Sequence, residues 1–378
     1  MEDKIQKIIN KENKIFFYVP DTQGQILVSV YEIYLHATTL KNAGYNVMLV
    51  TDTNEYEEPK WFDDELLDLK VITPKNIEEE KIEIGSEDII ITPEYFVNFL
   101  EQIKNLPAKK ILWFQGIESY LKRFKHPQKS LLFKLTRYYD IHTILFNSET
   151  TKQFFTDNYI LDSNDFEYHV INPTIPEYFN KKVKIKPFKV GLYGRNIFEL
   201  HKVVEIFLNR YPEYQFISFE PVQGTMDNQK TNRKDFAESL ATFPICLWID
   251  DDATFGTFPL ECMLTKTIPV GKIGKYELEY LTDKKFEDYF KGFWSHYTVG
   301  KKDDGEFNDL VEKLNSCISY YLEDEFSPKL YEQMKIIGQT YLDSKDKREI
   351  IVKEYEKMID NRKKELEELT TKKETENA

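Results

Sequence analysis

Short runs of β-branched and aromatic residues alternate with longer helical patterns along this chain, and the alternation starts afresh midway. In the first half the runs are KIFFYVP (14–20), NVMLVTD (46–52), LKVIT (69–73), DIIITP (88–93), KILWFQ (110–115), TILFNS (143–148) and YHVINPT (168–174). They are nearly continuous Ile, Val, Leu and Phe, the pattern of parallel strands covered on both faces by helices. Between the first two lies ILVSVYEIYLHATTLKNAG (26–44), apolar at helical spacing and closed by Gly44 as a C-cap. At IPEYFNKKVKIKPF (175–188) the pattern gives way to a proline- and lysine-rich connector. It restarts with KVGLYG (189–194), a helix near 199–210, YQFISFE (214–220), a helix near 232–243, ICLWID (245–250), a helix from Pro259 to Lys266, and IPVG (268–271).

This order predicts an α/β fold of two Rossmann-like domains facing across a cleft, with a C-terminal helical extension. The expected bounds are 1–178, 179–340 and 341–378. The last segment carries charges at i,i+4 spacing and is expected as a solvated helix with a frayed tail.

Charge and cysteine usage narrow the function classes. The 65 acids outweigh the 51 bases, a net charge of −14, which opposes nonspecific binding to a phosphate backbone. KRFKHPQK (122–129) is a local exception, a basic patch suited to anionic lipid, an acidic glycan or nucleic acid. Cys246, Cys262 and Cys317 lack ligand-like spacing, and Cys246 and Cys262 are expected as buried thiols in a reducing compartment. The N-terminal MEDKIQKIINKENK lacks the apolar core of a signal peptide, and no apolar run reaches the ~18 residues of a membrane span. The expected location is cytoplasmic, with peripheral contact at the inner membrane face through 122–129.

Open parallel sheets bind ligands at the carboxyl ends of their strands, so chemistry is sought just after the runs. PDTQGQ (20–25) places Gly24 directly before a helix, where backbone can approach an anion or a sugar hydroxyl. Arg195 follows KVGLYG, and Lys202 lies about two turns further on; together they could clamp a diphosphate. FGTFPLE (255–261) follows ICLWID and opens a helix, with backbone N–H groups around Phe255, Gly256 and Thr257. Glu261, just inside that helix, can accept from two vicinal hydroxyls. Asp250-Asp251-Asp252 precede this turn, and Asp250 with Asp252 have a spacing suited to Mg²⁺ or Mn²⁺.

The stretch FGTFPLECMLTKTIPVG resembles the sugar-nucleotide loop of GT-B glycosyltransferases, especially the large retaining, family 4-like group with the pattern E-G-F-G-x-P-x-L-E-A-M-A-x-G-x-P-V. YGRN resembles that group's G-R segment, FNSETTKQFF (146–155) the end of its first domain, and INPTIPEYF (171–179) its crossover. With the segment from Val19 to Asp52, the resemblance spans most of residues 14–340.

The resemblance implies that the second domain binds a nucleotide diphosphate sugar, such as a UDP- or GDP-sugar, and the first an acceptor hydroxyl on a glycan, a lipid-linked glycan or another molecule. Arg195 and Lys202 would then hold the diphosphate, Glu261 the ribose, the backbone of Phe255–Thr257 the sugar, and Gly24 would approach the diphosphate from the opposite lobe. The first Glu of the E-x7-E pair falls on Ala253, so either Asp252 stands in for it or the sugar is recognised differently. The group's strand-end His has no counterpart; ITPEYF offers Glu94, which with Arg195 is the candidate catalytic pair. Gln115 and Glu118 in WFQGIES face the acceptor in this scheme. No cofactor or metal is expected. The rivals are a GT-A enzyme with a metal on Asp250 and Asp252, disfavoured by the restarted second α/β unit, a viral DNA-modifying glucosyltransferase, and a noncatalytic GT-B-like nucleotide-binding protein.

Overall fold

The computed structural model describes residues 13–376 apart from 23–26, 60–65, 67, 96, 124–133, 160–164, 182–185, 223–231, 277, 282–292, 297–304 and 324–327. The chain divides into two compact units, Met1–Asn172 together with Ser344–Ala378, and Pro173–Asp343.

The first unit is built on a parallel sheet of β1 (Lys14–Tyr18), β2 (Asn46–Val50), β3 (Val71–Ile72), β4 (Ile89–Pro93), β5 (Lys109–Phe114), β6 (Ile141–Phe146) and β7 (Glu167–Val170). Their order is β3-β2-β1-β4-β5-β6-β7. Strands β4 and β5 are buried over their whole length, which is why Ile89–Ile91 and Ile111–Phe114 run apolar without alternation. The helices between strands are α1 (Val28–Asn42), α2 (Pro74–Glu79), α3 (Val97–Ile103), α4 (Ile117–Arg123) and α5 (Glu149–Tyr159). α1 ends as expected, with Gly44 at φ +91° just past its C-cap Ala43.

The second unit has a smaller parallel sheet of β8 (Lys189–Gly194), β9 (Ser218–Pro221), β10 (Ile245–Ile249), β11 (Ile268–Ile273) and β12 (Trp294–His296), ordered β12-β11-β10-β8-β9. Its helices are α6 (Ile197–Arg210), α7 (Arg233–Leu240), α8 (Thr257–Leu264), α9 (Gly305–Glu323) and α10 (Pro328–Thr340). α6 packs with α9, and α8 with α10. The entering and leaving segments of this unit are tied together: Ile175 N donates to Tyr341 O at 2.7 Å, and Asp343 N to Ile175 O at 2.8 Å. That clasp explains why the unit runs from 173 to 343.

The expected solvated tail is corrected by α11 (Lys345–Glu376), whose residues belong to the first unit. Ile351, Tyr355, Met358 and Ile359 lie on one stripe, are at most 3% exposed, and join the core formed by β1, α1 and β2. Burying an Ile or Met side chain is worth about 1.5–3 kcal/mol. The helix's charges are also engaged. Glu365 Oε1 is 3.0 Å from Lys109 Nζ, Glu354 Oε2 is 3.0 Å from His169 Nδ1, and Arg362 donates to the carbonyls of Ser86 and Pro107. Charge spacing alone conceals an apolar stripe this narrow. No helix among the described residues is long and apolar enough to cross a membrane.

Candidate functional site

In the second sheet, β8 and β10 lie side by side, yet the chain leaves β8 toward β9 and β10 toward β11. Segments that diverge from neighbouring strands in this way leave a ligand crevice at the carboxyl ends. Gly194 and Ile249 are register partners at that end. A Cβ on Gly194 would stand 2.5 Å from the Ile249 carbonyl oxygen, so glycine is required for the strands to stay paired there.

Arg195 and Asp250 are the next residues on the two strands, and Arg195 Nε donates to Asp250 Oδ2 at 2.9 Å. The guanidinium is 68% exposed while the carboxylate is 14% exposed. Burial raises the Asp250 carboxyl above its ordinary range, and the Arg195 charge pulls it back down. The ion pair uses Nε, and among the described residues the two terminal nitrogens of Arg195 carry no hydrogen bond, which leaves the planar fork its donors. Asn196 caps α6 by accepting from Phe198 N at 3.1 Å. Phe198 beside it is 81% exposed. Lys202, two turns along from Arg195, has its ammonium 5.6 Å from the ring of Phe307 in α9.

The three aspartates face three different cations. Asp250 holds Arg195, Asp251 Oδ1 is 3.2 Å from the buried Lys272 Nζ, and Asp252 Oδ1 is 3.1 Å from Lys275 Nζ. Asp252 N turns back to Asp250 Oδ1 at 3.2 Å, which tightens the loop.

After the aspartates the chain turns into α8 through Gly256, at φ +70°. A side chain there would be strained, and its Cβ would sit 3.1 Å from Leu278 and 3.2 Å from Tyr280 Oη. The Tyr280 hydroxyl donates to the Gly256 carbonyl and fixes the turn. The Phe255 ring is 3% exposed, edge-on to Tyr280 and Tyr341, so this residue anchors the loop and only its backbone can meet a ligand. Thr257 begins α8.

Glu261 is 1% exposed and accepts from Arg233 Nη2 at 2.6 Å, and Arg233 is itself 5% exposed. Nothing in the local pattern marks this partner, which follows the polar stretch QGTMDNQKTN. Tyr193 links the two ion pairs. Its ring lies flat on Phe258, with centroids 3.8 Å apart and planes 4° from parallel. Burial raises its hydroxyl pKa most; Glu261 and Asp250 add to the rise, while Arg233 and Arg195 oppose it. All four charges therefore lie within electrostatic reach of one phenol. Tyr193 belongs to the YGRN segment, so its position was legible, but its role was not.

In the first unit, Glu94 follows β4 and is fully buried. Its carboxylate accepts from Gln115 N at 2.9 Å, Gly116 N at 3.0 Å and the Ser119 hydroxyl. Burial pushes it up to about 7, against the pull of those donors. Glu94 thus ties the end of β4 to the turn that opens α4. Gln115 continues the linkage, with Nε2 donating to Ser29 O at 2.9 Å and its amide oxygen accepting from Tyr95 Oη at 3.2 Å. Glu118 is in the first turn of α4. Gly24, and most of the basic patch 122–129, lie outside the described residues.

No protein-family model matches the sequence, and no curated protein matches it. Solved structures do match in shape. A glycosyltransferase from Rickettsia africae ESF-5 superposes with a TM-score of 0.57 at 13% identity, over 93% of this chain and 98% of that one. An alpha-glucosyltransferase in complex with UDP and a 13-mer DNA containing an HMU base gives a TM-score of 0.57 at 12% identity, over 92% and 98%. The pneumococcal O-GlcNAc transferase GtfA, in complex with UDP and GlcNAc, gives 0.50 at 12% identity, over 76% of this chain and 58% of that one. With the two parallel sheets, these likenesses establish the fold: two Rossmann-like domains, as in GT-B proteins.

Proposed function

We propose that this chain is a glycosyltransferase that moves a sugar from a nucleotide diphosphate sugar, such as a UDP- or GDP-sugar, to a hydroxyl of an acceptor. The observation that carries this is the Arg195 guanidinium, pinned through Nε by Asp250 at the switch point of the second sheet, with its terminal fork exposed. A planar fork matches a diphosphate in two places at once. The N-termini of α6 and α8 follow the same two strand ends and add N–H groups that favour an anion. In this scheme Arg195 stabilises the leaving diphosphate, with Lys202 adding charge from α6. Glu261 takes the ribose hydroxyls, and the backbone of Phe255–Thr257, with Asp252, faces the sugar. Glu94 serves the acceptor side by fixing the loops after β4 and β5. We take the reaction to need no divalent metal, because each of the three aspartates is already balanced by a cation.

The test is a panel of UDP-, GDP- and ADP-sugars, with release of the nucleoside diphosphate followed for the wild type and for Arg195→Ala. Turnover by the wild type that collapses in the variant supports the assignment. Nucleotide binding without turnover of any donor would make the chain a noncatalytic nucleotide-binding protein.

A second reading has one specific support, the match over 92% of the chain to an alpha-glucosyltransferase held with DNA. The net charge of −14 opposes it. We favour a glycan or lipid-linked acceptor; transfer to hydroxymethylated duplex DNA, supplied as acceptor beside the sugar panel, would reverse that preference.

A further inference from the structure

We infer that Arg233 is the positioning residue for Glu261, holding one carboxylate oxygen so that the other is presented to a ribose hydroxyl of the donor. This rests on the proposed donor reading. The geometry singles out Arg233 on three counts. It is the first residue of α7, where the helix dipole disfavours a cation, so the helix itself gains nothing from it. Its guanidinium is 5.0 Å from the ring of Phe179 and 5.7 Å from that of Phe236, aromatic faces that suit a planar cation. Its one hydrogen bond among the described residues is the 2.6 Å contact with Glu261 Oε1, and its buried Nε makes none.

Stability does not account for such a pair. Taking both charges out of water costs several kcal/mol per ion, and apolar replacements of a buried pair are often neutral or stabilising. An ion pair kept at 5% and 1% exposure beside the donor crevice is explained by what the carboxylate does there. The phenol of Tyr193 lies within electrostatic reach of this pair and of Arg195 and Asp250 alike. One guanidinium would thus meet the diphosphate directly, while the other acts on the ribose only through Glu261.

The experiment compares the affinities for UDP and dUDP, with GDP and dGDP alongside, by titration calorimetry on the full chain. The wild type is expected to favour the ribonucleotide by about 10- to 100-fold, the worth of a hydrogen bond to a charged group. In Arg233→Met the ratio should fall toward one, and Arg233→Lys should restore part of it. A merely structural arginine would weaken both nucleotides equally and leave the ratio unchanged. The double variant Arg233→Met/Glu261→Leu makes both buried positions apolar, which guards against loss of the fold, and its ratio should be one. A wild-type ratio in either Arg233→Met or the double variant overturns the inference. Wild-type binding with no preference for the ribonucleotide overturns it while leaving the donor reading intact. Failure of the wild type to bind any of the four overturns the donor reading and this inference with it.

Discussion

Arg195 Nε and Asp250 Oδ2 meet at 2.9 Å across the carboxyl ends of two adjacent parallel strands. The carboxylate is the buried partner and the guanidinium the exposed one, so Asp250 aims Arg195. An aspartate that only aims can be replaced by an amide oxygen at modest loss, whereas the charge it aims cannot be replaced. Steady-state kinetics should show Arg195→Ala losing about 10²- to 10³-fold in kcat, the scale of one removed transition-state donor. Asp250→Asn should lose about tenfold, as expected of a lost orienting contact. A chelator should leave both values unchanged. If chelation and Asp250→Asn each abolish turnover, and Mg²⁺ or Mn²⁺ restores the wild type, the metal-free scheme is wrong.

The same two residues show what the sequence makes legible. Strands buried on both faces leave unbroken apolar runs, so KVGLYG and ICLWID marked Arg195 and Asp250 as strand-end residues. That the two strands are neighbours depends on sheet order, which local pattern does not encode. The spacing of Asp250 and Asp252 suited a metal only while their cation partners, Arg195 and Lys275, lay out of sight in distant parts of the chain. Arg233 was hidden for a related reason: it reaches Glu261 from 28 residues away, after a stretch with no apolar periodicity. In α11 the many exposed charges outnumbered the few apolar positions that dock it.

Glu94 should give the first unit a recognisable pH dependence. Its carboxyl is raised from 4.5 to about 7 in the folded protein, so the folded state holds the proton more tightly than the unfolded state does. Its contribution is therefore full below pH 4.5 and is lost as pH rises through about 7. At about 1.4 kcal/mol per pH unit this amounts to about 3 kcal/mol. His36 acts with the opposite sign, because burial lowers it to about 3 and its contribution is lost as pH falls below 6.5. The readout is thus the difference between the wild type and Glu94→Gln in urea unfolding at pH 5 and pH 7.5. The variant should lose less stability over that rise, whatever constant cost its amide carries; equal slopes would show that Glu94 does not titrate in this window.

Gly256 is held at φ +70° with Leu278 and Tyr280 closing over the place of a Cβ. Gly256→Ala should cost about 1–3 kcal/mol, because strained backbone and contact add. The loop carries the start of α8, so donor affinity should fall with the melting temperature. A variant that melts as the wild type does would mean that the turn relaxes without strain.

Tyr355 joins α11 to the heart of the first unit. Its hydroxyl is 3.1 Å from His36 Nδ1, and the His36 ring stacks on Trp113 at 4.5 Å between centroids. Both partners are buried, so Tyr355→Phe leaves the imidazole nitrogen without its partner, at a cost of about 1–3 kcal/mol. Met358→Ala removes a wholly buried side chain from the same stripe and should cost about 2–5 kcal/mol. A frayed, solvated tail would tolerate both changes. Urea unfolding of the full chain measures the loss, and hydrogen exchange localises it. Amides of α1 and β1, which share the core with this stripe, should lose protection, while those of β8 and β10 in the second unit should keep it. Unchanged protection in α1 would show that the helix does not stabilise the unit it covers.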